Sequence, residues 1–90
     1  MVCYVKSKDS EKIQKVHHHL QKIGAELDVD ISGDMSTAIE LFDDDSFSNY
    51  DMVDYDKRWK EDPYFKRIKI KDVMNTESWK EVLTLIKGEV

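Results

Sequence analysis

The chain has one cysteine, one proline and three glycines in 90 residues. A single cysteine makes no internal disulfide, so no disulfide framework holds this domain. Cys3 lies in the apolar run Val2-Cys3-Tyr4-Val5 and reads as a small buried core residue of a reducing compartment. Gly24, Gly33 and Gly88 stand far apart, and neither G-x-x-x-x-G-K nor G-x-G-x-x-G occurs, which excludes a glycine-rich phosphate cradle. There is no G-x-S-x-G elbow, and nothing in the spacing sets a base beside Cys3. No apolar run nears the roughly 18 residues of a membrane span. Charge is met at Lys6, so no signal peptide is expected. These absences lead to the expectation of one soluble domain over residues 1–90, without membrane contact. Its expected location is the cytoplasm, which for a phage-borne protein is that of the host.

What the chain does hold is charge, and the charge is segregated. The formal net charge is −5. Residues 1–24 carry five lysines against Asp9 and Glu11, and residues 63–90 carry six basic side chains against four acids. Residues 25–42 carry Glu26, Asp28, Asp30, Asp34 and Glu40 with no basic residue, and residues 43–62 hold eight acids against Lys57, Arg58 and Lys60. Seven of the nine aromatic residues lie between Phe42 and Phe65, inside or beside the acidic middle. An acidic disordered tail lacks aromatic rings, and a plain solvated face is poor in them. An acidic and aromatic segment therefore suggests a surface that docks a basic partner.

Hydrophobic periodicity supplies the elements. Val2–Lys6 reads as a strand. Ser7, Asp9 and Ser10 offer N-cap oxygens for a helix whose stripe is Ile13, Val16, Leu20 and Ile23 and whose stop is Gly24. Ala25, Leu27, Val29 and Ile31 alternate with Glu26, Asp28 and Asp30, the pattern of a half-buried strand over 25–31 with a carboxylate-lined outer face. Ser32-Gly33-Asp34 is a turn signal. Residues 36–42 suit a returning strand, although Met35, Ala38, Ile39 and Phe42 also fit helical spacing; a hairpin is preferred because a lone edge strand is marginal. Asp43-Asp44-Asp45-Ser46 reads as a loop, and Asn49 or Asp51 as the cap of a short helix bearing Met52, Tyr55 and Trp59, stopped by Pro63. Trp59 and one of Tyr50 or Tyr55 are expected to be buried. Residues 65–71 alternate as a fourth strand. Asn75 or Thr76 would cap a last helix over 76–87 with Trp79, Val82, Leu83 and Ile86 inward. The order matches an α+β ferredoxin-like βαββαβ antiparallel sheet with an added C-terminal helix. One core is expected from the helix stripe, Leu27, Val29, Ile31, Ile68, Ile70, Val82, Leu83 and Ile86.

Each chemical motif meets a simpler alternative. His17-His18-His19 invites a metal reading, but consecutive helix residues point about 100° apart, while chelation from one helix needs i and i+4. The simpler reading is a solvated face with one ring against the core. Asp43-Asp44-Asp45 resembles a calcium loop only superficially, since Ser48 or Asn49 falls where that loop needs glycine. The carboxylates lack a companion His or Lys that would set one apart as an acid or base. No catalytic residue, metal site or cofactor is expected, and the chain is read as non-enzymatic. Lys66, Arg67, Lys69 and Lys71 form a short basic stripe beside Phe65, but a sequence pI near 5.1 argues against direct nucleic-acid binding, and lysines also protect sheet edges.

The expected function is a protein-binding module, in its sharpest form an acidic nucleic-acid-mimicking inhibitor of phage or mobile-element type. Its partner would be a protein with a basic surface, such as a nucleic-acid-binding protein. The expected partner-binding residues are Asp43, Asp44, Asp45, Tyr50, Asp51, Asp54 and Tyr55, with Glu26, Asp28 and Asp30 on the edge strand. Carboxylates steer association and rings supply the desolvated anchor. The alternatives are a ferredoxin-like regulatory or ligand-sensing domain and an antitoxin or immunity protein.

Overall fold

A computed structural model describes residues 2–30, 36–50 and 64–87. It is an α+β fold with a five-stranded mixed sheet. The strands are β1 (Val2–Lys6), β2 (Glu26–Asp30), β3 (Ala38–Leu41), β4 (Ser46–Tyr50) and β5 (Phe65–Arg67). The helices among the described residues are α1 (Ser10–Lys22), α2 (Ile70–Met74) and α3 (Trp79–Lys87).

The sheet order is β2-β4-β3-β1-β5. β1 pairs antiparallel with β3, and β3 with β4, while β1 pairs parallel with β5 and β2 parallel with β4. The all-antiparallel ferredoxin-like arrangement is not what forms. The β3–β4 hairpin occupies the two positions between β1 and β2, so β2 is an edge strand, as expected, but with β4 rather than β3 as its neighbour.

Local chemistry explains the element ends. The Asp9 carboxylate accepts from the Glu11 amide at 3.0 Å and caps α1. At the other end the Ala25 amide donates to Leu20 and the Gly24 amide to Gln21, a Schellman closure that needs the left-handed φ of +98° at Gly24. The last helix is capped by neither Asn75 nor Thr76. Ser78-x-x-Glu81 does so, with the Glu81 carboxylate accepting from the Ser78 amide at 3.0 Å. Residues 65–71 do not run on as a strand. The strand stops at Arg67, and Ile70 and Val73 turn inward at helical spacing on α2.

The helices cover one face of the sheet. Cys3, Val5, Ile39, Leu41 and Phe47 from the strands meet Ile13, Val16 and Leu20 of α1, Val73 of α2, and Trp79, Val82 and Ile86 of α3. Ile23, Ile68, Ile70 and Leu83 are only partly buried against this cluster. On the opposite face Tyr4 and Ala38 are buried, with Tyr50 and Phe65 half-buried against them. Leu27 and Val29 are not core residues, being 38% and 41% exposed. The edge position of β2 leaves Leu27 uncovered, and a bulge turns Val29 to the other face. Leu27 lies opposite Phe47 but Val29 lies opposite Ser48, so Asp28 is an extra residue, and alternation no longer puts both side chains over the helices. Asn49 does not cap the expected short helix, because Asn49 and Tyr50 belong to β4, and the alternative cap at Asp51 lies outside the described residues. The helix itself lies outside the described residues, as do Ile31, the Ser32-Gly33-Asp34 turn and Trp59.

Candidate protein-interaction surface

Pairing of β2 with β4 joins two acidic segments that are far apart in sequence. The β3–β4 turn is Asp43-Asp44-Asp45, closed by the Phe42 amide donating to Ser46 at 3.0 Å. Asp45 has φ +67°, the left-handed residue that ends a three-residue hairpin loop and one that aspartate adopts readily. The Ser46 hydroxyl donates to the Asp44 carboxylate. Turn chemistry thus accounts for the run of aspartates as backbone formers, and hairpin geometry rather than a calcium loop is what they build. The Glu26 amide then donates to the Asp45 carbonyl at 2.9 Å, and Glu26 pairs with Ser46. The start of β2 is therefore tied to the turn.

The result is one acidic end of the sheet. Glu26, Asp28, Asp30, Asp43, Asp44 and Asp45 are all exposed there. Leu27 and Val29 are exposed between them, and among the described residues β2 has no strand on its outer side. Charged residues and bulges are common protection for a sheet edge. Protection explains the carboxylates but not two exposed aliphatic side chains.

The other expected partner-binding residues fall elsewhere. Tyr50 ends β4 away from the turn, half-buried against Tyr4 and Ala38, so it is not beside Asp43–Asp45. Asp51, Asp54 and Tyr55 lie outside the described residues. Sequence reasoning missed the exposure of Leu27 and Val29, since neither the lack of cover over an edge strand nor a bulge leaves a mark on an alternating pattern.

The three histidines meet three environments. His17 is buried, edge-on to Phe47 at 5.2 Å, and its Nδ1 lies 2.7 Å from the Asn49 amide nitrogen, which donates to it. His18 is exposed. His19 Nε2 lies 3.3 Å from the Thr76 hydroxyl, which itself donates to the Val73 carbonyl, so the imidazole is the donor of that pair. Among the described residues no three His, Cys, Asp or Glu side chains converge as metal ligands do. Cys3 is wholly buried and its thiol donates to the Ile86 carbonyl at 3.7 Å. Burial pushes that thiol up from its ordinary value, against the opposing pull of Lys66.

The opposite edge of the sheet is basic. β5 carries Lys66 and Arg67, and Lys69 and Lys71 follow it. Four inter-strand steps separate β2 from β5, about 19 Å at 4.8 Å per step. Screening acts over about 8 Å at physiological ionic strength, so each end presents its own field. No protein-family model, curated protein or solved structure matches the chain.

Proposed function

We propose that the chain is a non-enzymatic protein-binding module that presents its acidic sheet end to a basic groove on another protein. The supporting observation is the convergence of Glu26, Asp28, Asp30 and Asp43–Asp45 on one edge that also exposes Leu27 and Val29. Glu26, Asp28 and Asp30 follow one another about 6.6 Å apart along β2, and Asp43–Asp45 cluster at its start, a field of six carboxylates on one edge. A groove that ordinarily holds DNA or RNA is therefore the target chemistry that fits best, and the role is that of a nucleic-acid-mimicking inhibitor acting in the cytoplasm. The carboxylates speed encounter, and the aliphatic side chains exposed on the edge, Leu27 on the helix-covered face and Val29 on the other, supply desolvated contact that charge alone does not.

The test is competition. The partner that co-purifies at low salt is identified, and duplex DNA, then single-stranded RNA, is titrated into the purified complex. Displacement by either, with affinity falling steeply as salt rises, supports the reading. A partner without a basic groove, or binding indifferent to both nucleic acid and salt, refutes it.

A further inference from the structure

We propose a second site, independent of the acidic edge: a cleft at the carboxyl ends of β1 and β5 that binds a small phosphate monoester. The cleft has a volume of about 460 Å³ and is lined by Lys6, Arg67, Ile68, Lys69 and Ile70. That volume falls within the roughly 300–1,000 Å³ of small-molecule sites.

Topology assembles it. Tyr4 pairs with Arg67 in the parallel β1/β5 ladder, and the Ile68 amide extends the ladder by donating to the Tyr4 carbonyl at 2.9 Å. Lys6, two residues beyond Tyr4, comes level with the segment leaving β5. Lys69 is still extended there, at φ −79° and ψ 137°, before the chain enters α2. Parallel pairing thus brings together cations that are some sixty positions apart in sequence. Antiparallel pairing would have directed the end of β5 away from Lys6.

The lining states the ligand chemistry. Three cations and no acid among the described lining residues favour a dianion over a monoanion. The Arg67 guanidinium matches two phosphate oxygens with its fork, and lysines act as point charges beside it. Ile68 and Ile70 are half-buried and pack against the core cluster, so they form a fixed apolar wall rather than a mobile one. A bare inorganic ion leaves that wall unused. A phosphate ester of a flat or apolar group covers it. The acidic edge, some 19 Å away across the sheet, is too well screened to repel such a ligand.

The experiment is a nuclear magnetic resonance titration of the full chain in chloride at physiological ionic strength, where screening acts over about 8 Å, with inorganic phosphate and with phenyl phosphate as the two probes. The expected result is saturable shifts of the Arg67–Ile70 amides with both, and at least several-fold tighter binding of phenyl phosphate. Removing two charge-assisted contacts in Arg67→Gln/Lys69→Gln should weaken binding by about tenfold or more. Lys12→Gln/Lys15→Gln on the exposed face of α1 should leave it unchanged. All four positions are exposed, and a thermal melt of each variant checks that folding is intact. The proposal is overturned by shifts that do not saturate, by equal affinity for the two probes, or by undiminished binding in the Arg67→Gln/Lys69→Gln variant.

Discussion

The buried contact between His17 and Asn49 makes the sharpest claim about how α1 is seated on the sheet. Asn49 is wholly buried, its amide nitrogen donates to His17 Nδ1 at 2.7 Å, and its Oδ1 has no partner. Asn49 therefore depends on one ring. His17→Ala removes the acceptor and leaves a second buried polar atom unpaired, at about 1–3 kcal/mol. It also loses the edge-to-face contact with Phe47, about 0.5–1.5 kcal/mol. The expected loss is about 2–4 kcal/mol. Asn49→Leu strands His17 Nδ1 in turn and should cost about 1–3 kcal/mol. Replacing both with apolar groups, His17→Phe/Asn49→Leu, removes the polar atoms together and should come close to neutral. The matching single, His17→Phe, keeps a ring against Phe47 but leaves the Asn49 amide unpaired, at about 1–3 kcal/mol. The signature is non-additivity: the double variant is more stable than the sum of the His17→Phe and Asn49→Leu losses by at least about 2 kcal/mol. Urea unfolding measures it, and unchanged slopes among the variants license the comparison. Additive losses would refute the contact and, with it, the packing of α1 over β4.

Three other outcomes follow from the same structure. Leu20 is fully buried beneath α1, and Leu20→Ala should lower stability by about 2–5 kcal/mol in the same urea assay. Cys3 has its thiol raised by burial above the ordinary 9.0. Its stabilising contribution is therefore complete below that value and lost as pH rises further, because the unfolded thiol gives up its proton first. Wild type should lose more stability than Cys3→Ala between pH 8 and pH 10, and the thiol should resist alkylation until denaturant is added. Asp45 sits at φ +67°, so Asp45→Gly should leave the melting temperature unchanged or raised, whereas Asp45→Val should lower stability by at least about 1 kcal/mol. For the same reason, charge at that position is best removed as Asp45→Asn rather than reversed.

Periodicity revealed β1, α1, β3 and α3 within a few residues, because each buries an uninterrupted apolar face. It misread β4. Ser46-Phe47-Ser48-Asn49-Tyr50 offers little apolar signal, yet Ser48 and Asn49 are wholly buried. They survive there by specific partners: the Ser48 hydroxyl accepts from the Val29 amide at 3.2 Å, and Asn49 donates to His17. Those partners are distant in sequence and invisible to a pattern. Missing β4 also cost the topology, since the hairpin that fills the sheet centre is β3–β4. The acidic site was legible in part. Six of its carboxylates were named, but the reason they converge, parallel pairing of β2 with β4, depends on that unread strand. The basic cleft was legible only as the stripe that contains Arg67 and Lys69, because Lys6 joins them through β1/β5 pairing.

In the proposed function, β2 and the β3–β4 turn act as one acidic docking edge. Association rates of the isolated partner with charge-reversed variants test it most directly. Glu26→Lys/Asp28→Lys on β2 and Asp43→Lys/Asp44→Lys in the turn should each slow association by about tenfold or more at low salt, with a thermal melt of each variant checking that it is folded at the assay temperature. Lys66→Glu/Lys71→Glu at the far edge should leave the rate nearly intact. If the lysine changes abolish binding and the two acidic pairs do not alter it, the docking edge is β5 and not the acidic end of the sheet.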